Sequence, residues 1–383
     1  MMKKSISLLS FLCCYGLFAV AQENIGQNSP AILSPVVHED NSVTIRLARP
    51  LRGEVYVTGN WNPRKAKMTE DSLGFYYTTP PLSSDLYMYN IEVDGLVLND
   101  PLNVYTIRDV ANNFNYFITG GEQASLYQVQ DVPHGTVAKR WYDSPTLNMT
   151  RRMTVYTPPM YEQSTEEFPV LYLLHGMGGD EEAWPTLGRA TQILDNLIAT
   201  GKITPMIVVM PNGHVSNTAA PGESSKGQYP IHFRTPDVGT GKMEESFTDI
   251  IDFVESNYRV KKEKQSRAIA GLSMGGSHTL FTAAHLNDHF DYVGLFSAAF
   301  RMNDQVHSPV FDKFDENLVK QRDNGYQLYW IGMGKEDFLY QTGEEYRKKL
   351  DAIGMKYTYR ESEGGHTWSN WRIYLTEFLP MLF

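Results

Sequence analysis

Beyond residue 14 the chain has no cysteine, and its only two, Cys13 and Cys14, fall inside an apolar leader. Disulfides, thiol nucleophiles and cysteine–zinc sites are thereby excluded from everything downstream. Histidine metal centres find no support either, because the ten histidines are scattered and no H-E-x-x-H occurs. No phosphate-cradling glycine loop or nucleotide fingerprint is present, so no cofactor is expected. Positive charge is also short: 34 Lys and Arg stand against 44 Asp and Glu, for a formal net charge of −10. With no basic stripe to offset it, a nucleic acid would be repelled, and a neutral polymer is the easier partner. Long apolar runs are missing except for Ile6–Ala21, which is shorter than the roughly 20 residues a membrane span needs.

That run follows Lys3 and Lys4 and ends Ala19-Val20-Ala21 before Gln22, the pattern of a cleavable secretory signal. The mature chain is expected to be secreted or periplasmic, with no membrane attachment after cleavage. A lipid anchor on either cysteine fits poorly, because bulky Leu12 and Cys13 precede them.

A length of 383 residues suggests two domains. After the signal (1–21) and a polar tail (22–32), residues 33–125 carry short alternating runs such as Val43–Ala48 and Leu86–Val93, separated by Gly, Pro, Asn and Asp. That pattern predicts a small antiparallel β-sandwich. From 126 to 383 the pattern changes to near-continuous apolar strands, Pro169–His175 and Pro205–Met210 among them, alternating with amphipathic helices such as Ser246–Tyr258. The fold expected there is a doubly wound, mostly parallel sheet with its chemistry at the carboxyl edge. Asp131–Ser144 reads as a linker strand laid onto that domain.

Within it, Gly271-Leu272-Ser273-Met274-Gly275 fits the G-x-S-x-G nucleophile elbow, a strand-to-helix turn too tight for a Cβ at either glycine, with the serine held at positive φ. A serine hydroxyl needs a neighbouring base that is itself oriented by a carboxylate, and in this fold the acid and then the histidine follow the serine in sequence. His278, His285 and His289 belong to the helix after the elbow, and His307 has no strand before it. His366 follows a strand, in Glu363-Gly-Gly-His366. Of Glu336 and Asp337, the spacing from Gly334 favours Asp337. Met177, in His175-Gly-Met-Gly-Gly179, and Met274 are the expected backbone donors to an oxyanion, and His175 is expected to hold that loop. Trp184, Tyr229, Phe233, Trp368 and Trp371 lie in or beside loops at the catalytic edge, with Trp184 and Trp368 the candidates for substrate contact. The stretch 212–243, rich in Gly, Ser, Thr and Pro, is expected to form a flap over the slot.

Taken in order, His175-Gly-Met-Gly-Gly179, Pro211-Asn-Gly213, Gly271–Gly276, Asp337 and Gly365-His366 resemble carbohydrate esterase family 1. That resemblance covers residues from about 130 onward and implies an α/β-hydrolase fold with Ser273, Asp337 and His366 as its triad. It further implies removal of feruloyl or p-coumaroyl groups from plant cell-wall xylan, with acetyl removal from xylan as the alternative. A glycan-binding protein that retains the fold without activity is the alternative from another class. Asp85–Gly95 with Asn99–Asn103 resembles a family 48 carbohydrate-binding module. Trp61 is a candidate sugar platform in it, although packing within the sandwich is the favoured reading for that ring.

Overall fold

The computed structural model describes residues 32–48, 53–225, 227, 231–233, 235, 237–300 and 306–383. The expected signal segment, its two cysteines and Tyr229 lie outside them.

The N-terminal region forms two antiparallel sheets, one holding Val43–Ala48 against Gly74–Thr78, the other centred on Val55–Gly59, Leu86–Val93 and Asn112–Ile118. Alternate residues point inward, as in Val43, Ile45 and Leu47, and these meet Val55, Val57, Tyr89, Ile91 and Phe117 in one core. Trp61 packs against Tyr87, Tyr89 and Phe117 at ring separations of 5.7–6.5 Å. Its ring belongs to the sandwich, in line with the packing reading.

The larger region is an eight-stranded sheet. In spatial order its strands are Thr136–Ser144, Met149–Thr157, Ile207–Pro211, Val170–Leu174, Arg267–Leu272, Tyr292–Phe296, Leu328–Gly334 and Thr358–Ser362. The first two run antiparallel to their neighbours and the rest are parallel. Both faces are covered, which explains the unbroken apolar strands. Val170, Tyr172 and Leu174 point into a core shared with helices Phe247–Asn257 and Met274–His285. Leu171 and Leu173 point into one shared with Ala190–Ala199 and Trp368–Phe378.

Sheet order departs from chain order at one place. After Val170–Leu174 the next strand, Ile207–Pro211, is laid on one side, and the one after it, Arg267–Leu272, on the other. Loops leaving the carboxyl ends of those central strands therefore diverge, and a crevice opens between them. The His175–Gly179 loop and the Ser273 turn both leave from this point.

The two regions are tied by buried polar contacts. Arg372, on the last long helix, donates to Asp85 Oδ1 at 2.8 Å and to the carbonyl of Leu187 at 2.9 Å, with its guanidinium 5.0 Å from the Tyr127 ring centroid. Asn196 Nδ2 donates to the carbonyl of Ser125, at the end of the sandwich region, at 3.3 Å.

Candidate active site

Ser273 sits at the tip of the elbow with φ 52° and ψ −114°, a conformation that costs a non-glycine residue on the order of 1–3 kcal/mol. Three backbone bonds hold it there: its N–H donates to Phe296 O at 2.9 Å, and its carbonyl accepts from Ser277 and Ala299, each at 3.0 Å. The flanking glycines are needed for close approach. A Cβ on Gly271 would lie 2.3 Å from Gly275 O, and one on Gly275 would lie 2.4 Å from His175 O and 2.5 Å from Leu174 O. The turn is thus pressed against the end of the neighbouring strand, with the serine hydroxyl facing the crevice.

Two strands away, Leu328–Gly334 ends and delivers Asp337; the next strand, Thr358–Ser362, ends in the loop that delivers His366. Gly364, at φ 76°, turns that loop, and its carbonyl accepts from the N–H of Glu336 at 3.0 Å. Asn370 staples it further, with Nδ2 donating to Glu363 O at 3.1 Å and Gly365 O at 2.9 Å. The result brings three distant residues together. His366 Nδ1 lies 2.9 Å from Asp337 Oδ2, and His366 Nε2 lies 2.9 Å from Ser273 Oγ.

Protonation in this relay follows from chemistry. Burial works against the charged form of Asp337, but hydrogen bonds from His366 and from the N–H of Leu339 outweigh it and hold the carboxyl below its ordinary range. An ionised carboxylate only accepts, so Nδ1 carries the ring proton and Nε2 is free to accept from the serine. Glu336, the neighbouring carboxylate, is exposed.

The loop His175–Asp180 faces the serine: a Cβ at Gly176 would come within 3.3 Å of Ser273 Cβ. Two neutral histidines shape it. His175, buried, donates from Nδ1 to Gly176 O at 2.7 Å and accepts the Gly213 N–H on Nε2 at 2.8 Å. His214 accepts the Gly178 N–H on Nε2 at 3.2 Å, and its Nδ1 lies 2.9 Å from Thr235 Oγ1. Burial lowers His175 to about 4 and His214 to about 3, so both remain neutral acceptors. Among the described residues no backbone carbonyl takes the Met177 N–H, and Met274 opens its helix, where an N–H has no carbonyl one turn back. These are the two donors anticipated for an oxyanion.

Of the aromatic candidates, Trp184 is a correction. It is 1% exposed, its indole N–H donates to Leu174 O at 2.9 Å, and it packs edge-on against Phe296 and Trp368. Its ring belongs to the core behind the site and is not exposed at the catalytic edge. Trp368 is half-buried and stands between Trp184 and Trp371 at 5.3 and 5.1 Å. Trp371 is buried, edge-on to His366 at 4.9 Å. Phe233 comes from the 212–243 stretch to the oxyanion loop, where a Cβ on Gly178 would lie 3.0 Å from its Cδ2.

Several residues around the site were not anticipated. Phe338 is 75% exposed, yet its ring centroid is 4.6 Å from that of His366; an apolar residue directly after the acid was the available signal. His214 directly follows the Pro211-Asn-Gly213 motif. Arg108 and Val110 reach the oxyanion loop from the sandwich, and nothing local in the sequence marks them.

Comparisons with known proteins place the chain among esterases. A bifunctional endo-1,4-β-xylanase/feruloyl esterase of Xylanibacter ruminicola is 27% identical over 93% of this chain, which matches 47% of that relative. The chain thus spans about half the length of that curated relative. A solved ferulic acid esterase is 28% identical, with a TM-score of 0.53 over 64% of this chain and 97% of its own. An enterobactin esterase from Shigella flexneri shares the fold at 16% identity, with a TM-score of 0.62 over 88% of this chain and 92% of its own. The family model described as "Putative esterase" matches residues 144–382 and leaves the sandwich outside the match. With more than half of its residues inside that match, the chain belongs to this esterase family.

Proposed function

We propose that the protein is a secreted serine carboxylesterase that removes hydroxycinnamoyl groups from plant cell-wall xylan or its oligosaccharides. The observation that carries this reading is the hydrogen-bonded line Asp337–His366–Ser273, with 2.9 Å at each step. In the proposed cycle Ser273 Oγ attacks the ester carbonyl while His366 Nε2 takes the hydroxyl proton. The Met177 and Met274 N–H groups receive the oxyanion, each such donor being worth about 3 kcal/mol. Collapse expels the sugar alkoxide, which takes the proton from His366. Water, deprotonated by the same ring, then attacks the acyl-serine, and the acid leaves as Ser273 is restored.

An aromatic acyl group is favoured over acetyl by the apolar rim. Phe338 lies exposed beside His366, Phe233 borders the oxyanion loop, and half-buried Trp368 packs against Trp371 next to His366. A flat apolar slot with few polar groups is what an aryl acid needs. The names of the relatives support the same class, and the leader Met1–Ala21 supports export. Initial rates on methyl ferulate, methyl p-coumarate and acetylated xylan, with the released acid identified by mass spectrometry, test the reading. Ferulate release lost in Ser273→Ala is expected; acetate alone would assign the enzyme to acetylxylan instead. Equal rates in Ser273→Ala and the parent protein would sink the catalytic reading altogether.

A further inference from the structure

We propose that the N-terminal sandwich is part of the hydrolytic site itself, with Arg108 acting as a positioning residue for the oxyanion loop. This rests on the esterase reading above. The contact is made by the hairpin Thr106–Asp109 and Asn112–Ile118. From it Arg108 Nη2 reaches Asp180 Oδ2 at 2.5 Å, while Nη1 donates to Val110 O at 3.0 Å. The guanidinium therefore braces its own turn and the far loop together. Val110, held at φ 52° in that turn, packs onto Gly178: a Cβ there would lie 2.8 Å from Val110 Cγ2.

The other end of the ion pair is committed. Asp180 is 4% exposed, its Oδ1 accepts the Glu182 N–H at 3.0 Å, and its carbonyl accepts from Ala183 at 3.0 Å. Asp180 closes the loop that begins at Gly176 and contains Met177, so a shift at either end moves the donor. Gly178 is also held by its N–H bond to His214 Nε2 at 3.2 Å. The loop is thus held by both the catalytic domain's 212–214 turn and the sandwich hairpin. An oxyanion donor works only if it is fixed before charge develops, and that fixing comes in part from residues 72 positions upstream.

A sandwich that serves only to tether a glycan would not affect a substrate that lacks sugar. The test therefore uses p-nitrophenyl acetate with the full chain. Arg108→Met is expected to lower kcat by about 10- to 100-fold with KM changed by less than about 3-fold, the signature of a donor displaced in the transition state. Arg108→Lys, which keeps the charge but not the fork, is expected to recover part of that loss. Val110→Ala keeps the ion pair and removes the packing, and a smaller kcat loss is expected; it serves if Arg108→Met does not fold. Wild-type kcat in folded Arg108→Met, or in folded Val110→Ala should that protein be the one available, overturns the inference and leaves the esterase reading intact. A parent protein no faster than Ser273→Ala overturns both.

Discussion

Asp337 divides its two carboxylate oxygens between separate jobs: Oδ2 faces His366 Nδ1 at 2.9 Å, and Oδ1 accepts the N–H of Leu339 at 2.9 Å. The second bond fixes the carboxylate on its own loop, so the first can fix the imidazole. Asp337→Asn is expected to keep the fold, because the amide oxygen can still accept from Leu339. It removes the acceptor that selects the Nδ1–H tautomer, and kcat should fall by roughly 10³–10⁴-fold. Steady-state rates on p-nitrophenyl acetate check this, and a near-wild-type rate would move the acid elsewhere.

Gly275→Ala tests the elbow. Its Cβ would stand 2.4 and 2.5 Å from the carbonyl oxygens of His175 and Leu174, both backbone atoms that cannot rotate away. Destabilisation of at least about 3 kcal/mol is expected, at the upper end of overpacking costs. A thermal melt within a degree or two of the parent protein would show that the turn has slack.

The paired histidines predict an acid limit to stability. An unfolded chain protonates them near the ordinary 6.5, whereas burial holds His175 down to about 4 and His214 to about 3. Between those values the unfolded state binds more protons, so stability is complete above 6.5 and drains away as pH falls towards 4 and below. The slope is about 1.4 kcal/mol per pH unit for each group. Protonated His214 also cannot accept the Gly178 N–H. His214→Gln should flatten the fall in Tm between pH 6.5 and 4; identical slopes in variant and parent would argue that His214 is not held neutral.

Phe338 is 75% exposed beside the base. If it forms one wall for an aryl acid, Phe338→Ala removes contact worth about 1–2 kcal/mol. KM for methyl ferulate should rise about 5- to 30-fold, while rates on p-nitrophenyl acetate stay within a few-fold. Equal losses on both esters would instead assign Phe338 to shielding His366.

Arg372 links the two regions from a buried position, paired with Asp85 at 2.8 Å. Arg372→Met leaves that carboxylate without its cation and Leu187 O without a donor. Removing one partner of a buried pair costs about 3–5 kcal/mol. Denaturant unfolding followed by tryptophan fluorescence should register that loss, and an unchanged midpoint would show that the interface does not depend on this tie.

Local chemistry explains how much of the site could be read early. Gly271, Ser273 and Gly275 are close neighbours in the chain, so their steric demands are a property of one turn. His366 was separable from the other histidines because only it follows a strand and two glycines. Trp184 misled because position beside a loop does not say which way a ring turns; its N–H found a carbonyl inside the core, and the ring followed. Phe338 directly follows the acid, but one apolar residue there is ordinary and does not say that its ring will lie beside His366.

The sequence by itself determined the elements and the chemistry available to them: alternation made the sandwich, apolar runs made the buried sheet, and glycines marked the turns that admit a strained serine. Which side chains meet was decided only by tertiary structure. Ser273 and His366 lie 93 residues apart and Arg108 and Asp180 lie 72 apart, and local preferences do not encode such distances. They close because the sheet reverses its winding at Val170–Leu174, which gathers loops from separate strands at one rim, and because the packed sandwich holds its hairpin against that rim.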